Sequence, residues 1–164
     1  MPGRQSLTSR DVRSRLASFW ASRLSPIAGL EFDRMLDAAR AGRLGAMWIL
    51  GADPAQSYPG AAPALAKIPF LIVQDLFLTQ TAAMADVVLP GASFAETDGT
   101  LTNMTGRVQK LAAQRIPPGK ALADWQIVVD VARHLADDKQ RRAWRFDDAG
   151  DVLEEILSVV PAYR

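Results

Sequence analysis

Apolar residues fall along this chain in two rhythms, one of helical spacing and one of short unbroken runs. Val12, Leu16, Phe19 or Trp20 and Leu24 form a stripe that predicts a helix over about residues 9–23, with Thr8 or Ser9 as cap and Asp11 in its first turn. Phe32, Met35, Leu36 and Ala39 predict a second helix, from Phe32 to about Arg43, which Gly42 and Gly45 end. The rhythm then changes. Residues 46–50, 70–73 and 87–89 are apolar without alternation, as in strands covered on both faces. Between the last two, Thr79 to Ala85 reads as a short helix capped by Thr79, so the unit is strand, helix, strand and the pairing parallel. Ala61 to Ala66 leaves room for one or two helical turns with Pro63 in the first.

Beyond Pro90 the chain is punctuated every few residues. Thr100–Thr102 and Arg107–Leu111 can form a short hairpin around a turn at Asn103–Gly106. A helix from about Asp124 would place Trp125, Val128, Val129, Ala132 and Leu135 on one face. Asp137 to Arg145 reads as a solvated connection, and Asp147 or Asp148 caps a last helix in which Val152, Ile156 and Val159 pack. The fold class expected is a three-layer α/β/α domain with a short, mainly parallel, Rossmann-like sheet, a loop and hairpin region, and C-terminal helices. Residues 1–26 read as an N-terminal helical extension and 27–164 as the α/β domain.

Composition narrows the chemistry. An apolar share of 49% with 23% charged residues is that of an ordinary globular domain, and a net charge of +1 offers nothing to nucleic acid at the level of the whole chain. With no cysteine, thiolate ligation of iron–sulfur clusters or zinc is excluded, and His134 is the one histidine. No apolar run reaches the roughly 18 residues that suggest a membrane span. Arg4, Arg10, Arg13, Arg15 and Arg23 outnumber Asp11 near the N-terminus. Such a bias is found in presequences, but the regular apolar stripe favours a basic surface helix in a cytoplasmic protein.

Known catalytic patterns fail one by one. Gly119-Lys120 lacks the rest of a phosphate-binding loop, and Ser93 lacks the second glycine of a nucleophile elbow. No motif surrounds His134. The segments Gly51–Pro54, Gln74–Phe77 and Ala95–Gly99 are more telling, because each follows a strand or extended piece. A parallel sheet gathers those ends along one edge, where ligands bind. Asp75, Glu96 and Asp98 can accept hydrogen bonds there, or can serve only to shape turns.

Four ordered motifs are more specific. They are Val73-Gln-Asp-Leu-Phe-Leu-Thr-Gln-Thr-Ala82, Ala85-Asp-Val-Val-Leu-Pro90, Phe94-Ala-Glu-Thr-Asp-Gly-Thr-Leu-Thr-Asn103 and Gly106-Arg-Val-Gln109. With Trp48 to Pro54 before them and Pro117-Pro-Gly119 and Asp124-Trp125 after, this pattern closely resembles the molybdopterin oxidoreductase family over about residues 27–160. Within it, the likeness is greatest to the large iron–sulfur subunit of NADH-quinone oxidoreductase (complex I).

The resemblance implies that loops after the strands meet the nucleotide of a molybdopterin guanine dinucleotide in cofactor-binding members, at positions matching Asp53, Gln74, Asp75 and Thr97. Members that bind it typically carry lysine where this chain has Thr97. Loss of that cation implies a weak or vestigial site with no cofactor bound, and no catalytic or metal-ligating residue is expected. The implied function is that of a non-catalytic structural domain, whose partners are other subunits or domains of a respiratory oxidoreductase at the cytoplasmic face of a membrane. Two alternatives stay open: a cofactor-binding domain of a multi-chain molybdoenzyme, and an orphan fragment. Trp20, Phe94 and Trp144 are expected to form partner-facing surface.

Overall fold

A computed structural model describes residues 5–163; Arg4, counted above in the basic N-terminal stretch, lies outside the described residues. Two compact units make up the chain. One comprises Leu30–Thr97 and Ala112–Val128, the other Met1–Gly29, Asp98–Leu111 and Val129–Arg164.

The first unit contains the expected parallel sheet. Strands β1 (Met47–Leu50), β2 (Leu71–Asp75) and β3 (Val87–Pro90) lie in that order, with Met47 opposite Leu71 and Ile72 opposite Val87. A single parallel rung between Gly91 and Leu122 extends the sheet beyond β3. Ile49, Leu71 and Val73 share one face and are buried against Leu36 and Ala39 of helix α2 (Phe32–Arg40) and Ala61, Ala64 and Leu65 of α4 (Ala61–Leu65). Alternation along β2 sends Gln74 to the opposite face, where it bonds Asp124, the first residue of α5 (Asp124–Leu135).

Helix ends follow local backbone chemistry. The glycine expected to stop α2 does so: Gly42 adopts φ +66°, its N–H donates to Ala39 O and that of Arg43 to Ala38 O. This closes the helix at Arg40, short of the expected Arg43. The helix expected between β2 and β3 shrinks to a 3₁₀ turn, Ala82–Met84, although Thr79 Oγ1 still caps by accepting from Ala82 N at 3.1 Å. Asp86 shortens it. Its Oδ2 accepts from Leu71 N at 2.7 Å and its own N–H donates to Leu71 O, drawing the chain into the sheet.

The face predicted for α5 holds in part: Val129 is buried and Trp125, Val128 and Ala132 are half-buried, whereas Leu135 is 82% exposed and Ile127, outside the predicted stripe, is buried. The Gln74 bond ties the first residue of α5 to the sheet.

In the second unit, helix α1 (Arg10–Phe19) and helix α7 (Ala149–Val159) bury Leu16, Val159 and Val160 together. Asp148 caps α7 in a reciprocal box with Asp151, as its position before the apolar stripe predicts. Strands β4 (Gly99–Thr102) and β5 (Val108–Leu111) form the expected antiparallel hairpin. Asn103 Oδ1 holds its turn by accepting from Thr105 N and Arg107 N at 3.0 and 2.9 Å, with Gly106 at φ +83°. The connection after α5 is not wholly irregular. It holds the one-turn helix α6 (Asp138–Arg141) and a 3₁₀ turn at Arg142–Trp144.

Helix α1 stops at Phe19 rather than near Arg23 because Ala21 takes a left-handed φ of +46°. The N–H of Ser22 then reaches back to Ala17 O at 3.0 Å. An L side chain in this conformation is disfavoured by roughly 1–2 kcal/mol, partly offset for glycine by its greater unfolded-state entropy. Ala21→Gly is therefore expected to stabilise the protein by up to about 1 kcal/mol, read as a higher urea midpoint. A lower midpoint would refute the argument.

Candidate functional site

The carboxyl edge of the parallel sheet is assembled by backbone bonds that run across strands. Gly51 follows β1 at φ +60° and donates its N–H to Gln74 O at 2.9 Å; Gly91 follows β3 and donates to Asp75 O at 3.0 Å. A side chain at Gly91 would bring its Cβ to 3.0 Å from Asp124 Oδ1 and 3.7 Å from the Asp75 carbonyl carbon. Glycine there is what lets the α5 N-terminus approach the strand ends.

Of the four residues singled out in the sequence, Gln74 and Asp75 lie together at this edge. Gln74 is fully buried. Its Nε2 donates to Asp124 Oδ1 at 2.7 Å, an orientation dictated by chemistry, since an ionised carboxylate only accepts. Its Oε1 is buried without a partner among the described residues. Asp75 is half-buried; its Oδ1 accepts from Phe77 N at 3.1 Å, and no described residue donates to Oδ2.

Asp53 and Thr97 are used differently. Asp53 precedes the short helix α3 (Pro54–Ser57), yet its side chain turns sideways to the chain that follows β2. Asp53 Oδ1 accepts from Thr81 N at 3.0 Å and Thr81 Oγ1 at 2.6 Å, and Oδ2 from Gln80 N at 3.3 Å. Thr81 Oγ1 in turn accepts from Ala55 N at 2.9 Å, and Thr81 is fully buried. The Thr81 hydroxyl above all, with the backbone amides of Thr81 and Gln80, holds the Asp53 carboxyl below its ordinary range. Thr97 donates from its hydroxyl to Ser93 O at 3.3 Å, and no hydrogen bond ties it to Asp53, Gln74 or Asp75.

The neighbouring Glu96 closes the same turn. Its Oε2 accepts from Ser93 N at 2.9 Å, and that backbone bond lowers its pKa. Ala95 is anchored through its carbonyl to Gln114 N and Arg115 N. Asp98 and Gly99 belong to the other unit.

Chemically the edge is acidic, with Asp53, Asp75 and Asp124 around it. Such a surface suits the N–H and O–H donors of a base or a ribose better than a phosphate. His134 is exposed and its Nδ1 bonds Asp130 O at 2.7 Å, the position of an ordinary helix-surface residue. Sequence reasoning missed Thr81 and Asp124 as organisers of the edge. Thr81 was legible only as one more polar residue in an Ala-rich stretch, because its partner Asp53 is remote in sequence.

Exposed apolar residues cluster in sequence near this edge: Leu76, Phe77 and Leu78 are 46, 73 and 77% exposed, and Phe94 is 74% exposed. Phe94 was expected to face a partner. Trp20 and Trp144, the other two, are only 37 and 36% exposed. Among the described residues no helix is long and apolar enough to cross a membrane, and no cluster of three potential metal ligands occurs.

A family model described as molybdopterin oxidoreductase matches residues 15–134. The F420-dependent formate dehydrogenase 1 subunit alpha of Methanococcus maripaludis is 39% identical over 99% of this chain and 24% of its own length. The assimilatory nitrate reductase catalytic subunit of Bacillus subtilis is 33% identical over 95% of this chain and 22% of its own length. The chain thus spans about a quarter of the length of such curated relatives. Among solved structures, acetylene hydratase from Pelobacter acetylenicus superposes with a TM-score of 0.64 over 76% of this chain and 18% of that one. At 19% identity, that likeness speaks for the fold alone.

Proposed function

Because this chain belongs to the molybdopterin oxidoreductase family, we propose that it forms the α/β domain of a larger oxidoreductase of formate dehydrogenase type, and supports the nucleotide end of a molybdopterin guanine dinucleotide. The observation that carries this reading is the likeness to formate dehydrogenase alpha subunits along 99% of the chain. When bound, such a cofactor supplies the redox chemistry at its metal. The residues here supply binding and position.

Asp75 fits that role. Its Oδ2 is open to the paired N–H donors of a guanine or to a ribose hydroxyl. Gly51 keeps the end of β1 free of a side chain, so that a ligand can meet backbone there. Gln74 and Asp53 act from behind: the first holds Asp124 and the second holds the chain after β2, and the bonds of Asp53 leave it little to offer a ligand, while Gln74 keeps one buried acceptor, Oε1, without a partner among the described residues. Partner subunits are proposed on the same ground, since the relatives are named as alpha subunits.

A second reading is a scaffold without cofactor, like the corresponding domain in the large iron–sulfur subunit of complex I. It is favoured by the inward commitment of Asp53 and Gln74 and by a neutral Thr97 at the position matched to a lysine. Calorimetric titration of GDP separates the two. For the cofactor domain, saturable binding is expected that Asp75→Ala weakens and Thr97→Lys strengthens by about ten- to a hundredfold, the worth of one charge-assisted phosphate contact. Undetectable binding by all three proteins would leave the scaffold reading.

A further inference from the structure

A cleft of about 330 Å³ opens in the unit that holds α1, the hairpin and α7. Small-molecule sites begin at about 300 Å³. Three aromatic side chains line it, Trp20 just past α1, Phe146 before α7 and Tyr163 after it, while Val152 and Ile156 of α7 add an aliphatic wall. Glu155 is the one charged residue in the lining. It is not idle there: Trp20 Nε1 donates to Glu155 Oε1 at 3.0 Å, so the indole fixes the carboxylate. No described residue donates to Oε2, and none of the ion pairs among the described residues includes Glu155. Tyr163 is held as well, its hydroxyl bonded to Thr102 Oγ1 at 2.9 Å. Two of the three rings are therefore anchored by their polar tips, which keeps them from folding into the space between them.

These features select for charge. Aromatic faces are electronegative and attract cations, most strongly where water is displaced. A carboxylate beside apolar walls repels an anion, and a neutral hydrocarbon would cover the walls while stripping water from an uncompensated charge. Only a cation with an apolar body satisfies both the rings and Glu155.

We propose that this cleft binds a small alkyl-substituted ammonium, its charged head beside Glu155 and the aromatic rings and its hydrocarbon arm on Val152 and Ile156. The site is independent of the sheet edge. The test is calorimetric titration of the full chain with hexyltrimethylammonium, hexanol and hexanoate. The cation should bind saturably below about 10 mM, about tenfold more tightly than hexanol, with hexanoate weaker still.

Glu155→Gln should remove most of the preference for the cation over hexanol. Trp20→Leu, which removes a ring and the donor to Glu155, should weaken the cation by a similar factor. Glu154→Gln, an exposed neighbour outside the lining, should leave both unchanged and so accounts for general charge effects. Equal binding of hexanol and the cation, a preference untouched by Glu155→Gln, or no saturation with the cation would overturn the proposal.

Discussion

Leu65→Ala is expected to lower stability by about 2–5 kcal/mol. Helix α4 spans only Ala61–Leu65 and starts from Gly60 at φ +77° without a side-chain cap. So short a helix has almost no stability of its own, and packing must supply it. That packing is tight: Ala61 and Ala64 are fully buried and Leu65 is 1% exposed, against Leu36, Leu71 and Val73. The cost within that range depends on how far neighbours such as Leu36 and Leu71 collapse into the vacated space. Urea denaturation should show a lower midpoint at unchanged slope, while Leu135→Ala, at an 82% exposed residue, should move the midpoint little. Equal effects would mean that α4 is not part of the core.

Thr81→Val should cost about 1–3 kcal/mol at neutral pH. The substitution keeps the shape and removes the hydroxyl, which donates to Asp53 and accepts from Ala55 N. One partly buried backbone N–H loses its partner and one carboxylate loses its shortest bond. The effect should depend on pH in a definite direction. Asp53 has its pKa lowered in the folded protein, chiefly by this hydroxyl, so it adds stability that is fully present above the ordinary carboxylate range. That stability is lost as pH falls from about 3.9 through the lowered value.

In the variant, the Asp53 pKa returns toward the ordinary value. The stability gap between the two proteins should therefore be widest near neutrality and should narrow in acid, as urea midpoints across the pH range would show. Glu96, also lowered, contributes equally to both proteins and cancels in the difference. A constant gap would assign the Asp53 shift to the backbone amides of Thr81 and Gln80 instead.

Much of this architecture can be read from residue order alone, because it depends on local rules. Unbroken apolar runs announced β1, β2 and β3, and a parallel sheet follows from the crossovers between them. Gly42 stops α2, Asp148 caps α7, and Asn103 with Gly106 turns the hairpin, each through bonds that reach only a few residues. The ordered motifs pointed to the family for a related reason, since they lie on the strand ends and the loops after them.

What the chain order left undetermined involves partners far apart in sequence. Asp53, Gln74 and Asp75 stood alike as site residues, with Thr97 set apart only by the lysine it replaces, and nothing local distinguishes the first three. Only the folded chain brings Thr81 to Asp53 and Asp124 to Gln74, which turns two of the four inward and leaves Asp75 with an open oxygen. A carboxylate or an amide carries no mark of whether it will meet a ligand or a distant backbone; the tertiary fold decides, because packing sets which polar groups come within bonding distance of it.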